Sequence, residues 1–199
     1  MRNNDWDKRK KYFEKPSFME IIGESLENRI ASPLFKAHVQ LIGLNGNERV
    51  LDFGCGGGKC ARHIVKMLSK GGFLTCIDTS QFWLSRAQKR MKKYANVEFK
   101  LGEIQKLDIE DKSYDIIFVH FVLHDIERDL RQITVNALAK KLKPDGVLFI
   151  IEPTKECHGI SAQEIQDFMT DAGLREKAHK MLKSIITGLM YQGSFINAI

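Results

Sequence analysis

Apolar residues in this 199-residue chain follow two rhythms. Five short runs, RVLDF (49–53), GFLTCID (72–78), NVEFKL (96–101), YDIIFVH (114–120) and GVLFIIE (146–152), are nearly continuous in apolar character. Such continuity predicts strands covered on both faces, as in a parallel sheet. Between the runs, apolar positions recur at helical spacing: Ala61, Ile64, Val65 and Leu68, then Trp83, Ala87 and Met91, then Leu130, Ile133, Ala137 and Leu138. Strands alternating with amphipathic helices predict an open, doubly wound α/β sheet.

The two ends of the chain depart from this alternation. Ser17, with Pro16 before it and Glu20 three residues on, opens a helix striped by Phe18, Ile21, Ile22, Leu26 and Ile30. Ser32 and Pro33 read as the cap and first-turn proline of a second helix, with Leu34, Ala37, His38, Leu41 and Ile42 on one side and Gly43 at its end. Residues 1–47 therefore read as a helical extension, a candidate lid, ahead of a main domain over 48–199. A further capped helix opens at Ser161 with Glu164 three residues later and stops at Gly173. The strand-like runs after it, 174–184 and 189–197, lie too close together for a crossover helix and predict an antiparallel pair. The expected sheet thus has seven strands, mostly parallel with a C-terminal antiparallel strand, and helices on both faces.

Composition narrows the class. With 31 Lys and Arg, 25 Asp and Glu, a formal charge of +6 and 43% hydrophobic residues, the chain reads as one soluble globular domain, which excludes a disordered chain and a disulfide mini-scaffold. Cys55, Cys60, Cys76 and Cys157 contain no C-x-x-C pair and suit reduced thiols better than a zinc site. No apolar run approaches the roughly 20 residues needed to cross a bilayer. The opening stretch MRNNDWDKRKKYFEK is charged where a signal peptide would be apolar, so the expected location is cytoplasmic. The basic run Lys8, Arg9, Lys10 and Lys11 reads as a solvated terminus, with an anionic partner as the alternative.

The chemistry-bearing stretch is VLDFGCGGGKC (50–60), a strand end running into a glycine loop and then a helix. Such a loop lets a ligand approach the backbone closely. Spacing separates the ligand classes that use it. A phosphate loop would need glycine where Phe53 stands and a hydroxyl residue where Cys60 stands. The dinucleotide fingerprint would need glycine at Lys59.

The run Val50-Leu51-Asp52-Phe53-Gly54-Cys55-Gly56-Gly57-Gly58 resembles the glycine loop of the class I S-adenosylmethionine-dependent methyltransferases. The second strand ends at Asp78, 20 residues beyond Gly58, where a carboxylate can accept both hydroxyls of a ribose. CIDTSQFW is similar to the family's ribose motif, KLGEIQKL (100–107) to its adenine segment, and YDIIFVHFVLHDI with LKPDGVLFIIE to its fourth and fifth strands. The likeness covers residues 36 to 197 and is nearest to the small-molecule and quinone C-methyltransferase branch.

The resemblance implies a Rossmann-like fold, S-adenosylmethionine as cofactor and a role for each matched residue. Asp52, Phe53, Gly54, Cys55 and Gly56 would hold the methionine portion, with Asp52 facing its amino group. Asp78 and Thr79 would hold the ribose; Gly102, Glu103 and Ile104 the adenine, with Trp83 beside it. His120, at the end of the fourth strand, would lie near the transferring methyl. A neutral imidazole there could act as general base or contribute contact alone. His124 reads as the start of the next helix with Asp125 as its cap, and the HFVLH spacing supplies no third metal ligand. Cys55 and Cys60 stand close to a helix N-terminus, where thiol pKa values tend to fall, but they read as packing and backbone positions because the family resembled uses the main chain there.

The expected function is therefore methyl transfer to a small-molecule acceptor. An RNA methyltransferase and a non-catalytic S-adenosylmethionine-binding protein are the alternatives. Base-amino methylation of nucleic acid would call for a Pro-Pro-aromatic motif where this chain has His120-Phe121-Val122-Leu123.

Overall fold

A computed structural model describes residues 30–154, 159–184 and 187–198. The helix expected from Ser17, the basic run and Cys157 lie outside the described residues. In chain order the elements are α1 (Ser32–Gln40), β1 (Arg49–Phe53), α2 (Ala61–Met67), β2 (Phe73–Asp78), α3 (Gln81–Met91), β3 (Val97–Leu101), β4 (Tyr114–His120), a 3₁₀ turn (Leu123–Asp125), α4 (Arg128–Lys141), β5 (Leu142–Pro153), α5 (Ala162–Asp171), β6 (Leu174–Ser184) and β7 (Gly188–Asn197).

The strands form one sheet in the order β3-β2-β1-β4-β5-β7-β6. β1, β2, β3, β4 and β5 pair in parallel. β7 runs antiparallel to both of its neighbours, β5 and β6. This is the seven-stranded, mostly parallel sheet that the apolar rhythm predicts, with the antiparallel pair at its end.

Alternation along each strand divides the core between the two faces. Leu51, Ile117, Val119, Leu148 and Ile150 point to one face and pack with Val135 and Leu138 of α4 and Ile165 and Met169 of α5. Val50, Phe118, Phe149 and Ile151 point to the other, against Phe35 and Val39 of α1, Ile64 and Val65 of α2, and Leu84 and Ala87 of α3. The central strands are largely apolar because both of their faces meet helices, whereas the edge strand β6 is mostly exposed.

Local signals resolve in different ways. Ser161 and Glu164 form the expected capping box at the start of α5. Ser32, expected as a cap, lies one residue inside α1, whose N-cap is Ala31 with no side-chain cap; its hydroxyl instead accepts from Arg62 Nη2 at 2.7 Å. A partner on α2 has outcompeted the local backbone. β5 starts four residues earlier than its apolar run: Leu142 pairs with Tyr114 and Val147 with Ile116, so the Lys143–Gly146 segment is taken up as an irregularity of the pairing. Among the described residues no helix is long and apolar enough to cross a membrane.

β7 carries the tightest packing in the antiparallel half. A Cβ at Gly193 would stand 2.6 Å from Tyr191 Cε1 and 2.8 Å from Phe195 Cε2, and both rings are buried. Gly193→Ala is expected to lower unfolding stability by about 2 kcal/mol through overpacking, read as a shifted midpoint in urea unfolding with an unchanged slope.

Candidate active site

In an open α/β sheet, ligands bind beyond the carboxyl ends of the strands, where the strand order reverses. Here the reversal falls between β1 and β4. A cavity of about 680 Å³ opens there, and all twelve residues singled out from the sequence line it.

The glycine loop closes one side. The amides of Gly54 and Cys55 both donate to the carbonyl of Ile77, at 2.8 and 3.0 Å, pinning the loop to the end of β2. Gly54 has φ +69, and a Cβ there would meet Val122 Cγ2 at 2.5 Å. Only glycine therefore allows the loop after β1 to close against the loop after β4. Further along, the Arg90 guanidinium donates to the Gly57 carbonyl.

Two carboxylates stand at this side in different states. Asp78 Oδ2 accepts from the Gly56 amide at 2.7 Å and Oδ1 from the Ser80 amide at 2.8 Å, so it braces the loop as well as facing the cavity. Asp52 is buried, and its Oδ2 has no hydrogen-bond partner among the described residues. Burial, and then the charge of Asp78, push its carboxyl up to about 8. The thiols of Cys55 and Cys60 are not lowered as the nearby helix start suggests but raised well above their usual value. The Cys76 side chain and burial do this at Cys55, and burial at Cys60.

The opposite side comes from the ends of β2 and β3. Trp83 and Ile104 are buried, while Thr79 and Glu103 are exposed. The Glu103 carboxylate is turned outward onto Lys106 Nζ at 2.8 Å. Gln105 Nε2 donates to Thr134 Oγ1 at 2.9 Å, joining this loop to α4.

The third side surrounds the end of β4. His120 stacks on Phe121 with ring centroids 4.1 Å apart and lies between Phe118 and Phe35, each at 5.7 Å. His120 Nε2 stands 2.9 Å from Nδ1 of His38, a buried residue of α1. Burial and His38 drive the His120 pKa down to about 3, so its ring is neutral at pH 7. His124 lies in the 3₁₀ turn and starts no helix, and α4 begins with Glu127 as an N-cap that makes no side-chain bond.

Two residues of this side escaped the sequence reading. Glu152, fully buried at the end of β5, accepts from the amides of Val122 and Leu123 at 2.7 and 2.8 Å through Oε1, and stands 2.6 Å from His124 Nδ1 through Oε2. It holds the loop on which Phe121 adopts φ +59. Its signal was a carboxylate closing an otherwise apolar strand. His38 gave the matching signal on α1, one imidazole within an apolar stripe.

Comparisons with known proteins agree with this geometry. The family described as "Methyltransferase domain" matches residues 50–146. Demethylmenaquinone methyltransferase of Tropheryma whipplei is 32% identical over 117 residues, covering 59% of this chain and 46% of that protein. Malonyl-[acyl-carrier protein] O-methyltransferase of Halalkalibacterium halodurans is 32% identical over 102 residues, 50% of this chain and 36% of that one. The chain thus spans less than half the length of either relative. Among solved structures, a SAM-dependent methyltransferase from Aquifex aeolicus superposes with a TM-score of 0.67 at 23% identity, covering 80% of this chain and 88% of that one. Residues 50–146 are thus similar to a methyltransferase domain, and the chain shares the fold of solved SAM-dependent methyltransferases.

The methyltransferase cofactor carries an ammonium and a sulfonium beside its carboxylate, and the cavity fits that charge pattern. A buried carboxylate oxygen without a partner, held largely protonated by burial, is stabilised by a cation placed against it. Asp52 Oδ2 is such an atom.

Two measurements follow from these carboxylates. The Asp52 carboxyl titrates near 3.8 when unfolded and near 8 when folded, so the folded protein keeps the proton across that window and stability falls as pH rises through it. Asp52→Asn is expected to flatten that decline in urea unfolding series run from pH 5 to pH 8.5. Glu152→Ala removes the acceptor of two backbone amides and is expected to lower stability by about 3 kcal/mol, with Glu152→Gln losing less.

Proposed function

We propose that this methyltransferase moves a methyl group from S-adenosylmethionine to a small, largely apolar acceptor. Asp52 Oδ2, inside the glycine-loop cavity and without a partner among the described residues, carries the cofactor half of this reading. Bound there, S-adenosylmethionine supplies an electrophilic methyl on a sulfonium. Asp52 would hold the methionine ammonium, with Phe53, Gly54, Cys55 and Gly56 along the methionine chain. Asp78 and Thr79 would hold the ribose hydroxyls. Gly102, Ile104 and Trp83 would enclose the adenine, with Glu103 reaching it only by leaving Lys106.

The acceptor half rests on the remaining wall. Ala31, Leu34 and Phe35 of the α1 region face Phe121, Ile126 and Leu130 across the cavity. These surfaces would exclude water and hold an apolar body against the methyl. The contribution of α1 supports reading residues 1–47 as a lid over the acceptor. Lys59 is the one cationic residue among the described residues of the lining, which favours a small molecule over the phosphate track of an RNA.

His120, kept neutral by burial, would orient the acceptor as part of this wall. A base is most effective with a pKa near the working pH, and about 3 is far below it. The acceptor group would then reach the methyl already nucleophilic, as a thiolate, an enolate or an unprotonated amine.

Calorimetric titration tests the cofactor half. S-adenosylmethionine and S-adenosylhomocysteine are expected to bind saturably and NAD not to bind. Asp78→Asn is expected to weaken both adenosyl ligands by about tenfold or more, the loss of one charge-assisted hydrogen bond. Tight NAD binding without adenosyl binding would sink the proposal.

A further inference from the structure

His38 and His120 are 82 positions apart, on an outer helix and on a central strand, yet their rings share one hydrogen bond. Burial lowers the pKa of both, so each ring is neutral and carries one N–H and one lone pair. Joined through His38 Nδ1 and His120 Nε2, they have two arrangements only. When His38 donates, the second nitrogen of His120, Nδ1, carries a proton. When His120 donates, its Nδ1 is a bare acceptor. The state of His38 thereby dictates what His120 presents.

Docking of α1 does not require this pair. Phe35 and Val39 already seat the helix in the core, and Ser32 is bonded to Arg62. An apolar side chain at position 38 would pack in the same stripe without burying a polar ring. The polar pair instead sits where α1 meets the acceptor end of the cavity, ringed by Phe35, Phe118 and Phe121.

We infer that His38 is a positioning residue of the methyl-transfer site. Its hydrogen bond to His120 Nε2 holds the plane of the ring that faces the acceptor and ties that ring's tautomer to the tautomer of His38. The inference rests on the methyltransferase reading above.

Nitrogen NMR of ¹⁵N-histidine-labelled protein reads the tautomer directly. The wild type is expected to show a single neutral tautomer at His120 and a through-bond ¹⁵N–¹⁵N coupling to His38. His38→Leu is expected to abolish the coupling and average the two tautomers of His120. His38→Asn, whose amide can reach the place of Nδ1, is expected to restore one tautomer. Affinity for S-adenosylhomocysteine should stay within about threefold in both variants, less than 1 kcal/mol.

Reaction of S-adenosylhomocysteine with methyl iodide gives a rate that needs no natural acceptor. The thioether sulfur attacks the methyl carbon, the carbon–iodine bond breaks, and iodide leaves with the electron pair as the sulfonium forms. The protein-dependent rate is expected to fall about tenfold in His38→Leu and to recover in His38→Asn, as for a misplaced reacting partner. Absence of the His38–His120 coupling in the folded wild type overturns the inference whether or not the variants fold. So does a single His120 tautomer with an unchanged rate in His38→Leu. Failure of S-adenosylhomocysteine to bind the wild type would instead remove the cofactor reading, and the inference with it.

Discussion

A sheet covered on both faces leaves its strands one place to show polar chemistry, the open ends. Two apolar clusters, one against α4 and α5 and the other against α1, α2 and α3, occupy both faces. The parallel run of β1 to β5 then directs every strand end carrying Asp52, Asp78, His120 or Glu152 to the same edge. The cavity opens at that edge, where a charge as deeply buried as that of Asp52 must be desolvated.

The buried carboxylates meet this constraint in opposite ways. Glu152 spends its oxygens on two backbone amides and an imidazole, and so becomes part of the frame. Asp52 keeps an oxygen without a partner among the described residues and remains protonatable near neutral pH. One carboxylate is satisfied by folding and the other keeps an oxygen that the described residues leave unbonded, two outcomes of burial in the same layer of the sheet.

What could be read from the residues alone depended on how local the cause was. Strands β1 and β4 match their apolar runs because continuous apolar character is a local mark of a doubly covered strand. The glycine loop and Asp78 were legible because their spacing reflects a single strand-loop-helix turn. Ser32 was misread because its partner, Arg62, lies on another helix. The Cys55 and Cys60 thiols are buried, which suits the packing role read for them, and burial outweighs their proximity to a helix start. His38 and Glu152 had visible oddities, a polar residue in an apolar pattern. Their partners are set by the packing of α1 and by the pairing of β4 with β5, which no local pattern records.

The contact between Gly54 and Val122 bears on how such a site can diversify. A methyl-bearing residue of the β4 loop fills the space that a Cβ at position 54 would take, so the glycine loop and the loop after β4 are packed against each other. A change of bulk at Val122 would be felt first by the backbone at Gly54. Leu34 and Phe35 line the same cavity from α1, Ile126 from the segment before α4 and Leu130 from α4 itself. Bulk at those four positions can therefore change without touching the Gly54–Val122 contact, so the cavity can be reshaped on that side while the glycine loop keeps its form.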